Sequence, residues 1–184
     1  PGDVFLGHYM DRPTFAKTRM AKEFVKFNER CFAMLLGDMR SYNYVVDVTP
    51  DFDMEQYRVR PIDFDQLTYE GRKNHYLPRF YKENFEVIQF CMDVLSPETV
   101  DQYQTEERTL MRKRYFLAQE QLDELLDSMA KVPLSKPEKI SSLCDDLNEF
   151  HRTEDFTGLE SMGQVLKLHL SKMIERTEHR TYLG

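Results

Sequence analysis

The chain has 184 residues, a formal net charge of −7 and 41% apolar residues. That is long enough for one domain with a full core, and too apolar for a disordered chain. The acidic balance disfavours a generic nucleic-acid binder, which needs positive charge to displace counterions, and equally an anionic membrane surface.

"MDRPTFAKTRMAKEFVKFNERCFAMLLG" predicts a helix over 13–35. Asp11 is placed to cap it and Pro13 to open its first turn. Phe15, Phe24, Phe27, Cys31, Met34 and Leu35 recur at helical spacing, and Gly37 reads as the stop. "YNYVVDV" (42–48) and "YRVRPID" (57–63) are β-branched and aromatic, and "TPDFDMEQ" between them suits a turn. They predict an antiparallel hairpin in which Pro61 takes a position with no donor duty.

Residues 67–80 show no period and carry Gly71 and Pro78, so they read as irregular. From Tyr81 to about 178 the pattern is helical. "YKENFEVIQFCMDVL" predicts one helix. The stretch 96–132 predicts one long helix or two with a kink, opened by Ser96 and Pro97. Ser135 with Glu138, and Thr157 with Glu160, have capping-box spacing and predict two more helix starts. No repeat or linker divides the chain. The expected fold is one domain over 1–184, mainly α with one β-hairpin.

Cys31, Cys91 and Cys144 are widely spaced, with no C-x-x-C pair. They read as free thiols in a reducing, cytoplasmic compartment, and zinc has no support. The five histidines show no metal-ligand spacing, and His169 reads as half-buried on its helix. No signal peptide is visible, and no apolar run approaches the roughly 20 residues of a membrane helix.

The stretch from Leu35 to Gln66 stands apart. A helix ends, Asp38 follows at once, and Asn43 comes five residues later as a strand begins. The hairpin then returns Asp63 at the end of its second strand. Adjacent strands lie about 4.8 Å apart, so Asn43 and Asp63 are placed to share one ion. Asp38 faces the same point. Phosphoryl transfer uses such a layout: oxygen ligands for Mg²⁺ and a separate carboxylate for the attacking hydroxyl.

In these residues the chain resembles the C-terminal lobe of the protein-kinase-like superfamily, with features of small-molecule kinases of the aminoglycoside phosphotransferase type. The family pattern H-R-D-L-K-x-x-N, a hairpin and D-F-G stand beside "LGDMRSYN", a hairpin and "IDFD" here. The Asp-to-Asn spacing of five is the same. Leu36 replaces the family His, and Asp65 replaces the Gly of D-F-G.

The resemblance implies transfer of the ATP γ-phosphoryl group to a hydroxyl substrate, with Mg²⁺. It implies Asp38 as catalytic base and Arg40 where the family has a phosphate-contacting Lys. It implies Asn43 and Asp63 as nucleotide-side metal ligands. Asp65 is either a further metal ligand or polar surface. No Gly-rich loop or strand Lys is present, and only 41 residues precede Tyr42. The N-terminal lobe is therefore expected to be absent. The surface it would cover then favours self-association, and the chain alone is expected to be inactive. A pseudokinase or a non-catalytic helical interaction module are the alternatives.

Overall fold

A computed structural model describes residues 1–175. It consists of α1 (Gly2–Tyr9), α2 (Lys17–Ala33), β1 (Tyr44–Asp51), β2 (Met54–Pro61), α3 (Phe85–Val94), α4 (Pro97–Leu117), α5 (Gln119–Ala130), α6 (Pro137–His151) and α7 (Met162–Glu175). The fold is mainly α with one antiparallel hairpin, as expected. No described helix is long and apolar enough to cross a membrane.

The boundaries differ for physical reasons. Helix α2 starts at Lys17, not at 13, because the preceding stretch is spent on packing. Phe15 and Ala16 are buried, and the Ala16 N–H donates to the Tyr57 hydroxyl at 3.2 Å. Asp11 therefore caps nothing in α2, whose N-cap position is Ala16. The helix stops at Ala33, and Leu35 turns the chain in the left-handed region at φ 48°.

Gly37 has a different duty from the expected stop. A Cβ there would lie 2.6 Å from the Gln66 carbonyl oxygen, which already accepts from the Gly37 N–H at 3.2 Å. The glycine lets two backbones touch.

The hairpin pairs Tyr44 with Pro61 and continues to Asp51 with Met54. Most of the expected turn is thus strand, and only Phe52 and Asp53 link the two. Pro50 lies opposite Glu55. A two-stranded sheet has only edge strands, so a missing donor there is tolerated.

The run 96–132 is two helices, broken at Ala118. Ser96 caps the first of them, accepting from the Thr99 N–H. The two predicted capping boxes do not form. The Ser135 hydroxyl donates instead to the Tyr69 carbonyl at 2.6 Å. Helix α7 starts at Met162, with the Ser161 hydroxyl accepting from the Gln164 N–H, so Thr157 and Glu160 lie in the loop before it. The expected continuation of α7 to 178 lies outside the described residues.

Two apolar clusters form the interior. One joins α1, the first turns of α2, the inner face of the hairpin and α3 around Phe24, Phe27 and Tyr44. The other joins the end of α2 to α4–α7 around Leu143, Leu147, Phe156 and Met173. Helix α2 belongs to both. The segment leaving it also spans the seam: Leu35 is in the second cluster, while Leu36 and Met39 are in the first. Buried side chains therefore clamp the loop carrying Asp38 from both sides.

The three cysteines are buried and free. Burial raises the Cys91 thiol to about 12 and the Cys144 thiol to about 11, and raises that of Cys31 further still. His169 is fully buried rather than half-buried. Its Nε2 lies 2.9 Å from the Phe32 carbonyl oxygen, and its Nδ1 lies 2.9 Å from His151 Nε2. A carbonyl only accepts, so Nε2 carries a proton.

Candidate active site

The loop from Leu36 to Asn43 is built largely by its own backbone. Asp38 adopts the left-handed conformation at φ 56°, which short polar side chains tolerate better than most. The Arg40 N–H donates to the Asp38 carbonyl and the Asn43 N–H to that of Arg40, each at 2.8 Å. These two turns bring Asn43 back beneath Asp38.

The Asn43 amide nitrogen donates to the Asp38 carbonyl oxygen at 2.8 Å and to its Oδ2 at 3.2 Å. The other Asp38 oxygen, Oδ1, accepts from Arg40 Nε at 2.6 Å. Arg40 also donates to Glu83 Oε1 at 2.7 Å and lies over the Tyr81 ring. Hydrogen bonds to Asp38 and Glu83 outweigh the cost of burial and raise the Arg40 pKa. About a third of the Asp38 side chain remains exposed.

The hairpin returns the chain to the level of Asn43, one residue before Asp63. The Ile62 N–H donates to the Asn43 carbonyl at 3.0 Å, continuing the ladder one step past Tyr44 and Pro61. Asp63 is thus the next residue along the chain from the direct partner of Asn43. Its Oδ1 accepts from the Asp65 N–H at 3.0 Å, which folds the chain after it into a tight turn. The Leu36–Leu67 bridge and the Thr68 N–H to the Leu35 carbonyl close the ring of backbone around the site.

Several residues that hold this loop were not singled out from the sequence for that role. The Tyr81 hydroxyl accepts from the Asp38 N–H at 3.0 Å and donates to the His75 carbonyl at 2.8 Å. Asn84 is fully buried. It donates to the Met39 and Pro78 carbonyls and accepts from the Tyr44 hydroxyl, all within 2.9 Å. The Tyr81 and Asn84 side chains lie just past the irregular segment 67–80, in residues expected to open a helix at Tyr81; α3 starts only at Phe85, which leaves Tyr81 and Asn84 free to reach the loop. The available signal was the density of aromatics in "RKNHYLPRFYK". There Tyr76 is buried, and Tyr81 docks through its hydroxyl, while Phe80 is exposed.

The donor set for a cation is limited. Among the described residues no three His, Cys, Asp or Glu side chains gather as a metal-holding group. A cation at this point would therefore draw on the Asn43 amide oxygen, the Asp63 carboxylate and oxygens from water or substrate. The Asn43 nitrogen is the atom turned to Asp38, so its oxygen is not used in those bonds. Oxygen donors of this kind suit Mg²⁺, which keeps several waters and takes one or two carboxylates.

Searches against protein-family models, curated proteins and solved structures find no match.

Proposed function

We propose that this chain carries the acidic, metal-binding half of an ATP-dependent phosphotransferase, resembling the C-terminal lobe of the protein-kinase-like superfamily. The observation that carries the reading is the pair of hydrogen bonds the Asn43 amide donates to Asp38, with Asp63 next in chain to Asn43's ladder partner. In this reading two carboxylates and an amide, spread over positions 38 to 63, serve one end of one hairpin.

In this reading Asp38 accepts the proton of the attacking hydroxyl. Arg40 orients its carboxylate through Oδ1, and Asn43 does so through Oδ2. Asn43 and Asp63 hold Mg²⁺, with Asp65 beside them as a further oxygen donor. When bound, the ion neutralises charge on the ATP phosphates. Gripping the adenine is the work of an N-terminal lobe that these residues do not build. The three buried free thiols are in keeping with a cytoplasmic setting.

The test is ATP turnover by the full gene product over a panel of hydroxyl substrates. Asp63→Ala is expected to abolish Mg²⁺-dependent turnover. Asp38→Ala is expected to lower kcat with little change in nucleotide affinity, because it acts on the hydroxyl. Equal turnover by the wild type and Asp63→Ala would overturn the reading.

A further inference from the structure

A separate cavity lies between α2, α3 and α4, on residues that the acidic site does not use. It is open to solvent on one side and has a volume of about 360 Å³. Its apolar walls are Phe24, Ile88, Cys91, Met92, Leu95 and Val100. Phe24, Cys91 and Leu95 are core residues, so the walls are fixed by the same packing that holds the three helices together. A few polar groups border this cavity: Asn28, Arg79 and Gln104.

Arg79 supplies a charge. Among the described residues its guanidinium has no carboxylate partner, and it lies over the ring of Phe80. Its backbone is fixed, with its N–H donating to Asn28 Oδ1 at 3.1 Å. A cleft of about 230 Å³ on the other side shares Arg79 and Gln104. Its remaining cations include Arg108, which is already paired with Glu29. Arg79 lines both spaces, with its guanidinium over Phe80 at the edge of the smaller cleft, and among the described residues it is the one cation that borders the apolar space. An apolar cavity with a few convergent polar groups is the usual form of a small-molecule site.

We infer that this cavity binds a small amphipathic carboxylate, with its apolar tail among Phe24, Ile88 and Leu95 and its carboxylate on Arg79. The size sets the scale. At the liquid volume of about 30 Å³ per water, the space corresponds to roughly a dozen heavy atoms, which is a carboxylate of about ten carbons. A charge-assisted bond from guanidinium to carboxylate fixes the head, and burial of the tail supplies most of the affinity.

The cavity lies close to the acidic loop in the hydrogen-bond network. The Arg79 turn is tied through Asn84, which bonds both the Pro78 and the Met39 carbonyls. Met39 adjoins Asp38 in the chain.

The test uses decanoate as probe, below its micellar concentration, with decanol as the uncharged control. Calorimetry and the Met92 methyl resonance report on the full chain. Decanoate is expected to bind and to shift Met92. Arg79→Gln should weaken decanoate about tenfold and bring it level with decanol, whose own affinity stays unchanged. Val100→Trp, at a half-buried wall position, should fill the space and abolish binding of both. An Ile88→Phe variant gives the same readout if Val100→Trp does not fold. Decanoate affinity untouched by Arg79→Gln would overturn the assignment of the head. Binding undiminished in a folded cavity-filling variant, or no binding to the wild type, would overturn the site.

Discussion

The side-chain nitrogen of Asn43 serves Asp38 twice, holding its backbone carbonyl at 2.8 Å and its carboxylate at 3.2 Å. One amide thus fixes both the left-handed turn at Asp38 and the direction of its side chain. Asn43→Ala should cost about 1–2 kcal/mol, the net worth of two such bonds. Asn43→Asp should cost more at neutral pH, because it sets a carboxylate against the carbonyl and the carboxylate of Asp38. Urea unfolding of the two variants checks the order. A more stable Asn43→Asp would show that the amide protons are not what holds the loop.

Asn84 is the tether between the two ends of the site. It is fully buried, and its three bonds reach Met39, Pro78 and Tyr44. Asn84→Ala takes their amide donor from two carbonyls in the interior and an acceptor from the Tyr44 hydroxyl. Each buried unpaired group costs about 1–3 kcal/mol, so a loss of about 3 kcal/mol or more is expected. Thermal unfolding measures it. Faster amide exchange at Asp38 and Arg40 than at α6 would place the effect in the loop.

The contrast between these two asparagines explains what could be read from the sequence. Asp38 and Asn43 are five apart and their relation is set by local backbone turns, so the spacing singled out both residues, although Asn43 was expected beside Asp63 rather than bonded to Asp38. The hairpin was equally legible from β-branched runs, although its turn shrank to Phe52 and Asp53 because pairing continued through Thr49 and Pro50. Asn84 finds its partners 6, 40 and 45 residues away, and no local pattern announces them. The capping boxes failed for the same reason. Ser135 had the spacing, but a carbonyl 66 residues away took its hydroxyl. Helix α1 escaped notice because eight residues with two glycines give little periodicity to read.

Glu83 links the site to pH. Its own backbone N–H and the Arg40 guanidinium hold its carboxyl below the usual glutamate range, against the opposing effect of burial. A carboxyl depressed in the folded state adds stability above its unfolded pKa, about 4.3 for glutamate. That stability is lost as pH falls through the lower folded value. The urea midpoint of the wild type should therefore drop on acidification below this range. Glu83→Gln should show a shallower drop while starting from a lower midpoint at neutral pH. Parallel curves for the two proteins would mean that Glu83 gains nothing from Arg40.

Arg30 organises the far side of α2. It bonds Glu23 at 2.7 Å and Glu107 at 3.3 Å, and donates to the Val59 carbonyl at 3.2 Å. Burial works against its charge, but the two glutamates outweigh that cost and raise its pKa. Glu107 is only 1% exposed, so Arg30 is what makes its charge tolerable there. Glu23 also accepts from the Val59 N–H at 3.1 Å. The pair therefore occupies both backbone groups of Val59 on the edge of β2, where another strand would otherwise bind. Arg30→Met should cost about 3–5 kcal/mol, because it strands a buried carboxylate. Adding Glu107→Leu should recover much of that loss, since no charge is then left alone. A double-mutant cycle in urea measures the coupling, expected at about 1.5 kcal/mol or more. Additive losses would mean that Glu107 draws its compensation from elsewhere. The single variant should also associate more readily than the wild type in sedimentation, because the freed Val59 groups reopen the edge.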